Sequence, residues 1–330
     1  MEANNTKSKT KVCVQNNNIN NIKVDMWLLG LHSEHVSCLI ETEKHRIASG
    51  SIDGSISICS IQYNNKTWNQ DIFKKNAHSN KISSFCISSM NKLISCGVDK
   101  YIKIWNLSQI NMSLFLQLKT HTNLICKIIS LTNNRLASSF KDGKVIIWKI
   151  QDKNKSNNLL STLNHGDGPV NCIIQLKGKE LLVTCGISQS SYGIFFWSLK
   201  SYLLETHIQG SYTDSINGMI ELSNGNIAIS SDSSGYPIIV IDTTLYLIIY
   251  KLEYKCITDR SSLCLLNENS FIYVYLGKLV QISNENGELL FFSDKNGFDG
   301  FYGGMISIEG GKYIAINYMQ GISVIKVFYN

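Results

Sequence analysis

The chain has 330 residues, 44% of them hydrophobic, with 31 basic and 25 acidic side chains and a net charge of +6. That apolar share suffices for a sizeable core, and two prolines in the whole chain exclude collagen-like or proline-rich character. The mild charge excess, part of it at Lys7, Lys9 and Lys11, forms no basic stripe of the kind that tracks a nucleic acid, and no run reaches the roughly 18 apolar residues that cross a bilayer.

Residues 1–21 are polar and asparagine-rich, without the apolar stretch and cleavage site of a secretory signal. They read as a disordered tail ahead of a single domain at 22–330. The expectation is an intracellular protein, cytoplasmic or nuclear and outside the membrane, whose ten cysteines stay reduced. No Cys-x-x-Cys and no zinc-finger spacing occurs, so neither a metal nor a cofactor is expected. Cys38, Cys86, Cys126 and Cys172 each lie in an apolar segment soon after a histidine, where free cysteine packs as a small hydrophobe.

An internal repeat follows. Histidines stand at His32, His78, His121 and His165, at intervals of 46, 43 and 44 residues. The first three are each followed 21 residues later by an aspartate, at Asp53, Asp99 and Asp142. Between these landmarks the text is alike. The first unit reads Ile47-Ala48-Ser49-Gly50-Ser51-Ile52-Asp53-Gly54, the second Leu93-Ile94-Ser95-Cys96-Gly97-Val98-Asp99, the third Leu136-Ala137-Ser138-Ser139-Phe140-Lys141-Asp142-Gly143. Each is a short apolar strand, a tight turn carrying Asp, and then a β-branched strand, such as Val145-Ile146-Ile147-Trp148.

These residues resemble the WD40 family, whose repeats hold four strands per blade of a β-propeller. The resemblance implies that His, Ser or Thr, Asp and Trp of each unit form a buried hydrogen-bonded chain. The second unit supplies His78, Ser95, Asp99 and Trp105, and the third His121, Ser138, Asp142 and Trp148. The first keeps His32, Ser49 and Asp53 but has Cys59 in the tryptophan's place. A buried aspartate is tolerable only with its oxygens satisfied, so these residues are structural.

Later units drift. The fourth keeps His165, Thr184 and Trp197, but Ser188 replaces the aspartate and three extra residues precede the tryptophan. The fifth closes on Ile238-Ile239-Val240-Ile241-Asp242, with Tyr212 where the histidine would fall. The sixth and seventh survive only as pattern in 271–282 and 313–327. The fold expected is therefore all-β: a seven-bladed propeller of four-stranded antiparallel blades. The chain stops after the third strand of the seventh unit, so residues 22–31 are expected to supply its fourth strand and close the ring, covering two open edges.

No phosphate-binding loop, nucleophile elbow, dinucleotide fingerprint or His-x-x-x-His pair is present, and Ser231-Asp232-Ser233-Ser234-Gly235 reads as a surface turn. The strand segments Val36–Ile40, Ile82–Cys86 and Val170–Ile173, which should line the channel, are apolar, small and uncharged. The expectation is a non-catalytic scaffold or adaptor, one copy within a larger complex, that binds other proteins or peptides on the rim of the ring. A propeller enzyme, or a small-molecule binder using the channel, is the alternative. The rim candidates follow each histidine or precede each aspartate: Glu34, His35, Asn80, Lys81, Asn123, Lys141 and Asp167, with Tyr212 and the blade-four insertion around Gln189 and Tyr192.

Overall fold

The computed structural model is a ring of seven four-stranded antiparallel sheets. The described residues are 22–108, 110–119, 123–150, 158–188, 191–209, 216–231, 238–252, 263–275, 278–284, 287, 289–292 and 301–327. Blade one runs from strand a to strand d through Val36–Glu43, Arg46–Ser51, Ile56–Gln62 and Thr67–Lys74. Blade two holds Ile82–Ile87, Leu93–Gly97, Tyr101–Leu107 and Met112–Lys119. Blade three holds Ile125–Leu131, Arg135–Phe140, Lys144–Lys149 and Leu159–Asn164. Blade four holds Val170–Gln175, Leu181–Ser188, Ser191–Ser198 and Leu204–Gln209. Blade five holds Ile216–Glu221, Ile227–Ser231, Ile238–Asp242 and Leu247–Leu252. Blade six holds Leu263–Asn267, Ser270–Tyr275, Lys278–Ser283 and Leu289–Phe292. Blade seven takes Phe301–Ile308, Tyr313–Tyr318 and Gly321–Val327 from the end of the chain, and Ile22–Leu28 from its start as strand d.

The middle strands are apolar on both sides because each blade is sandwiched between two others. Arg46–Ser51 and Arg135–Phe140 are buried along their whole length. Alternate side chains face alternate neighbours. Ala48 and Ile58 pack with Ile82 and Trp105 of blade two, while Ile47 and Cys59 pack with Ala315 and Val324 of blade seven. The core is thus seven inter-blade layers, one at each junction. Each fully buried isoleucine in them contributes about 1.5–3 kcal/mol.

Two register irregularities recur around the ring. In blades one to five strand a bulges just after its first residue, as between Val36 and Cys38 and between Ile125 and Lys127. In blades one to six the pairing of strands c and d shifts at the position of Cys59, Trp105, Trp148, Trp197, Ile241 or Ile282. Bulges add twist and bend a strand, which suits the steep twist of a blade.

Ring closure follows the expected path. Strand d of blade seven pairs antiparallel with the last strand, in register Ile22 with Val327, Val24 with Ile325 and Leu28 with Ile322. Across the seam Lys66 Nζ lies 2.6 Å from Asp25 Oδ1, and His45 Nδ1 lies 2.6 Å from Glu309 Oε1. The Tyr63 and Tyr313 rings stack there with centroids 3.9 Å apart.

The two ends of the ring differ. One carries the d-to-a connections and b-to-c turns, and so the histidines. The other carries the a-to-b and c-to-d turns, and there side chains tie blade to blade. Ser89 donates to Asn134, Thr132 Oγ1 donates to Glu180 at 2.9 Å, and the Lys177 amide donates to Glu221 at 2.9 Å. Arg135 adds a buried guanidinium, donating to the Leu199 carbonyl at 2.8 Å and to Glu180 at 2.5 Å. Among the described residues no helix is long and apolar enough to cross a membrane.

Candidate functional site

The histidine-bearing face is built on side-chain networks that fix its loops. In blade two Trp105 Nε1 donates to Ser95 Oγ at 2.8 Å, and Ser95 Oγ lies 2.7 Å from His78 Nε2. His78 Nδ1 lies 2.9 Å from both oxygens of Asp99, which also accept the amides of Ser79 and Tyr101 at 3.2 Å. One proton arrangement satisfies all of it: indole to hydroxyl, hydroxyl to imidazole Nε2, Nδ1–H to carboxylate. Burial lowers the His78 pKa against the pull of Asp99 and keeps the ring neutral. Burial works against the Asp99 charge, but the bonds from His78 and two amides outweigh it and lower its pKa.

Blade one departs from the expected chain. His32 Nε2 lies 2.7 Å from Ser49 Oγ, yet Nδ1 meets Ser55 Oγ at 2.6 Å, and Ser55 in turn donates to Asp53 at 2.5 Å. Asp53 therefore reaches His32 through a hydroxyl. Its oxygens are filled by Ser33 N at 3.0 Å, Ser33 Oγ at 2.6 Å and Ser55 N at 2.8 Å. Burial opposes its ionisation, but these bonds hold it well below the usual carboxylate range. Burial brings His32 down to about 4, with Asp53 opposing. In the sequence Ser55 stands two residues after Asp53, where the other units have Tyr101 and Lys144; a small hydroxyl there was the available signal. At the tryptophan's place Cys59 Sγ lies 3.6 Å from Ser57 Oγ, which accepts from Gln70 Nε2 at 2.8 Å.

In blade three Trp148 Nε1 donates to Ser138 at 2.8 Å and Asp142 accepts the Lys144 amide at 3.4 Å, while His121 lies outside the described residues. In blade four Trp197 Nε1 donates to Thr184 at 2.9 Å. The Phe195 ring packs against His165 with centroids 3.8 Å apart.

Main-chain bonds stitch this face between blades. The His78 amide donates to Gly54 O at 2.9 Å, the His165 amide to Gly143 O at 2.8 Å, and the Val36 amide to Met319 O at 2.6 Å. Gly54 and Gly143 hold φ of +77° and +80°, and an added Cβ would stand 2.2 Å from His78 O and 1.7 Å from Gly166 O. Only glycine fits there.

On this frame Glu34, Asn80, Lys141 and Asp167 are exposed, and His35, Lys81 and Asn123 are half-buried. The His35, Lys81 and Leu124 carbonyls accept the amides of Ile52, Val98 and Lys141, so each d-to-a connection is tied to the b-to-c turn of its own blade. Gln189 and Tyr212 lie outside the described residues. Beside the blade-four insertion, pairing runs on through Ile187 with Tyr192 to Ser188 with Ser191, which lengthens that hairpin. Trp68, on strand d of blade one, is half-buried and packs against the blade seven–blade one layer. The sequence also gave no weight to Leu29, Ile52 and Met319, which are 60%, 40% and 44% exposed in the blade seven–blade one sector of this face.

The central channel is lined by strand a of every blade, with Ser37, Cys38, Ser84, Cys172, Gly218 and Gly304 among its walls. The walls from Val36–Ile40, Ile82–Cys86 and Val170–Ile173 are uncharged, and Lys127 of blade three adds a cation beside them. Burial pushes the Cys38 thiol up to about 12 and the Cys172 and Cys126 thiols up to about 11, so they stay neutral. No cluster of three or more His, Cys, Asp or Glu side chains that could hold a metal ion occurs among the described residues.

The family model for the WD domain, G-beta repeat, matches residues 69–106, which run from the last strand of blade one through the complete His78–Trp105 network. Among solved structures the chain is similar to the WD40 β-propeller domain of Doa1. The TM-score is 0.74 at 16% identity, over 93% of this chain and 98% of that one. That likeness concerns the fold, and with the seven blades and the matched repeat it gives the conclusion: this chain is a seven-bladed β-propeller of the WD40 type.

Proposed function

We propose that the protein is a non-catalytic scaffold of the cell interior, cytoplasmic or nuclear, that binds partner proteins or peptides on the histidine-bearing face. The observation that carries this reading is a set of exposed aliphatic side chains on backbone that cannot yield. Met319 sits on the turn whose carbonyl accepts from Val36, and the Ile52 amide donates to His35 O at 3.0 Å. Leu29 adjoins Gly321, where a Cβ would stand 3.2 Å from the Leu29 Cα. Exposed Glu34 and Gln320 flank them, and Gln320 Nε2 donates to Ser33 O at 3.1 Å. Aliphatic anchors with a polar border are what a protein interface uses, and a stiff mount keeps the ordering cost of binding low.

The opposite face supports the same reading, since its turns are engaged in the blade-to-blade links described above. The channel offers one cation and neutral thiols, and its described walls hold no acid–base pair of the sort general catalysis uses. The test is affinity purification with quantitative mass spectrometry, parent against a variant carrying Glu34→Ala, Ile52→Ser, Asn80→Ala and Met319→Ser. These are surface changes of small stability cost. Discrete partners lost from a variant that melts like the parent support the reading. An unchanged set overturns it.

A further inference from the structure

Lys127 is the one charged side chain among the described residues that line the channel. Its register position, opposite Ser139 just past the strand-a bulge, is held in blades one, two, four and five by Cys38, Ser84, Cys172 and Gly218. Four small neighbours at one level leave the lumen into which the lysine projects, a space of about 230 Å³. Lys127 is exposed, and it lies in the upper half of its strand, toward the histidine-bearing face.

Nothing among the described residues balances this charge. Among the described residues no carboxylate lines the channel, and the thiols that feel Lys127 stay protonated. Asp142, which also acts on the Cys126 thiol, is engaged with Lys144 at 3.6 Å. Two further lysines add to the potential at the same mouth. Cys126 feels both Lys127 and Lys141, and Cys38 feels both Lys127 and Lys81. A cation in a narrow, low-dielectric opening concentrates field and favours an anionic visitor.

We propose that this mouth receives the side-chain carboxylate of an acidic peptide segment, paired with Lys127 and flanked by Lys141 and Lys81. The lumen is smaller than the roughly 300 Å³ at which small-molecule pockets begin, and suits one side chain. The walls beside Lys127 are neutral and partly apolar, with Leu39, Phe85 and Met305 along them for a methylene stem. A single ammonium at the mouth matches a single negative charge, whereas a phosphate would require several converging donors. The inference rests on the scaffold reading and names the chemistry of its partner.

The test uses the full chain and a fluorescein-labelled hexaglutamate peptide, with fluorescence anisotropy in about 50 mM salt, where screening is weak. Lys127→Met should weaken binding about tenfold, the equivalent of about 1.4 kcal/mol. Lys127→Arg should stay within about threefold of the parent, and hexaglutamine should not bind. Equal melting temperatures establish that both variants fold. Unchanged binding by the Lys127→Met variant, equal binding of hexaglutamine, or no binding by the parent up to about 1 mM peptide each overturns the inference. So does displacement by inorganic phosphate at a carboxylate-equivalent concentration, which would assign the site to a free anion. Partner loss from the Glu34, Ile52, Asn80 and Met319 variant, with no effect of Lys127→Met on the peptide, would sink this inference alone. Retained partners in that variant with a clear Lys127 effect would sink the rim reading alone.

Discussion

The Ser55 hydroxyl stands 2.6 Å from His32 Nδ1, in the place that the Asp99 carboxylate takes beside His78 one blade later. Blade one has moved its aspartate one bond further out and inserted a hydroxyl that accepts from the imidazole and donates to Asp53. Ser55 and His32 are almost wholly buried, so the imidazole cannot turn to water instead. Ser55→Ala should therefore destabilise the protein by about 1–3 kcal/mol. Equilibrium denaturation in urea measures it, and a change below about 0.5 kcal/mol, the scale of an ordinary surface substitution, would remove the relay from the account.

Acid should act on these networks in one direction. His32 titrates near 4 when folded and near 6.5 when unfolded, so the unfolded chain binds the extra proton first as pH falls. Stability is then lost between about pH 6.5 and 4, by roughly 3 kcal/mol from this residue at 1.36 kcal/mol per unit. His78 is also lowered and adds to the loss in the same sense. Asp53 and Asp99 are lowered too, and their contribution disappears as pH falls below the unfolded carboxylate value near 3.9. Denaturation midpoints from pH 7 to pH 4 should fall steadily, and a flat profile would contradict the neutral-imidazole assignment.

Two glycines offer a matched comparison. Gly143 and Gly178 both hold positive φ, +80° and +67°, but a Cβ on Gly143 meets the Gly166 carbonyl while one on Gly178 meets nothing within 4 Å. Gly178→Ala should cost about 1 kcal/mol, the backbone strain alone. Gly143→Ala should cost clearly more, since the stitch between blades three and four must shift. Melting temperatures of the two variants, measured side by side, decide it, and equal losses would mean that the stitch is dispensable.

Removal of residues 1–28 should open the ring. It would bare the edge of Gly321–Val327 and strip Met26 and Leu28 from the blade seven–blade one layer. An unpaired hydrophobic strand edge promotes aggregation. The expected result is aggregation or a large fall in melting temperature, read by light scattering and calorimetry. A truncated protein that stayed monomeric and melted like the parent would show that the closing strand is unnecessary.

Trp105 and Ser95 allow the blade-two chain to be taken apart. Trp105→Phe keeps most of the ring and leaves Ser95 still bonded to His78, so about 1–2 kcal/mol should be lost. Ser95→Ala leaves the indole N–H and His78 Nε2 both unsatisfied in a buried site and should cost more. The order of the two, by urea titration, checks the direction in which the chain runs.

How much of this was legible in the sequence depends on the blade. Fixed spacing from histidine to aspartate located blades one to three, since one turn geometry recurring at one distance has few other causes. In blades five to seven the motif is gone but the c and d strands remain, and the bulge at Ile241 or Ile282 repeats that at Trp105. The fold there is held by apolar layers, which tolerate substitution of similar volume and so leave no signature residue.

The sequence by itself determined the number and period of the blades, the strand that closes the ring, and which polar residues had to be buried as a group. The blades and the closing strand follow from local periodicity, and the polar group is what the resemblance to WD40 repeats implies. Tertiary structure alone decided that Ser55 stands between His32 and Asp53, that pairing in the blade-four hairpin runs on to Ser188 with Ser191, and that Lys127 reaches the channel beside Cys38 and Cys172. Those facts depend on which side chains, far apart in the chain, the closed ring brings to one level, and a bulge of one residue changes the face on which each emerges.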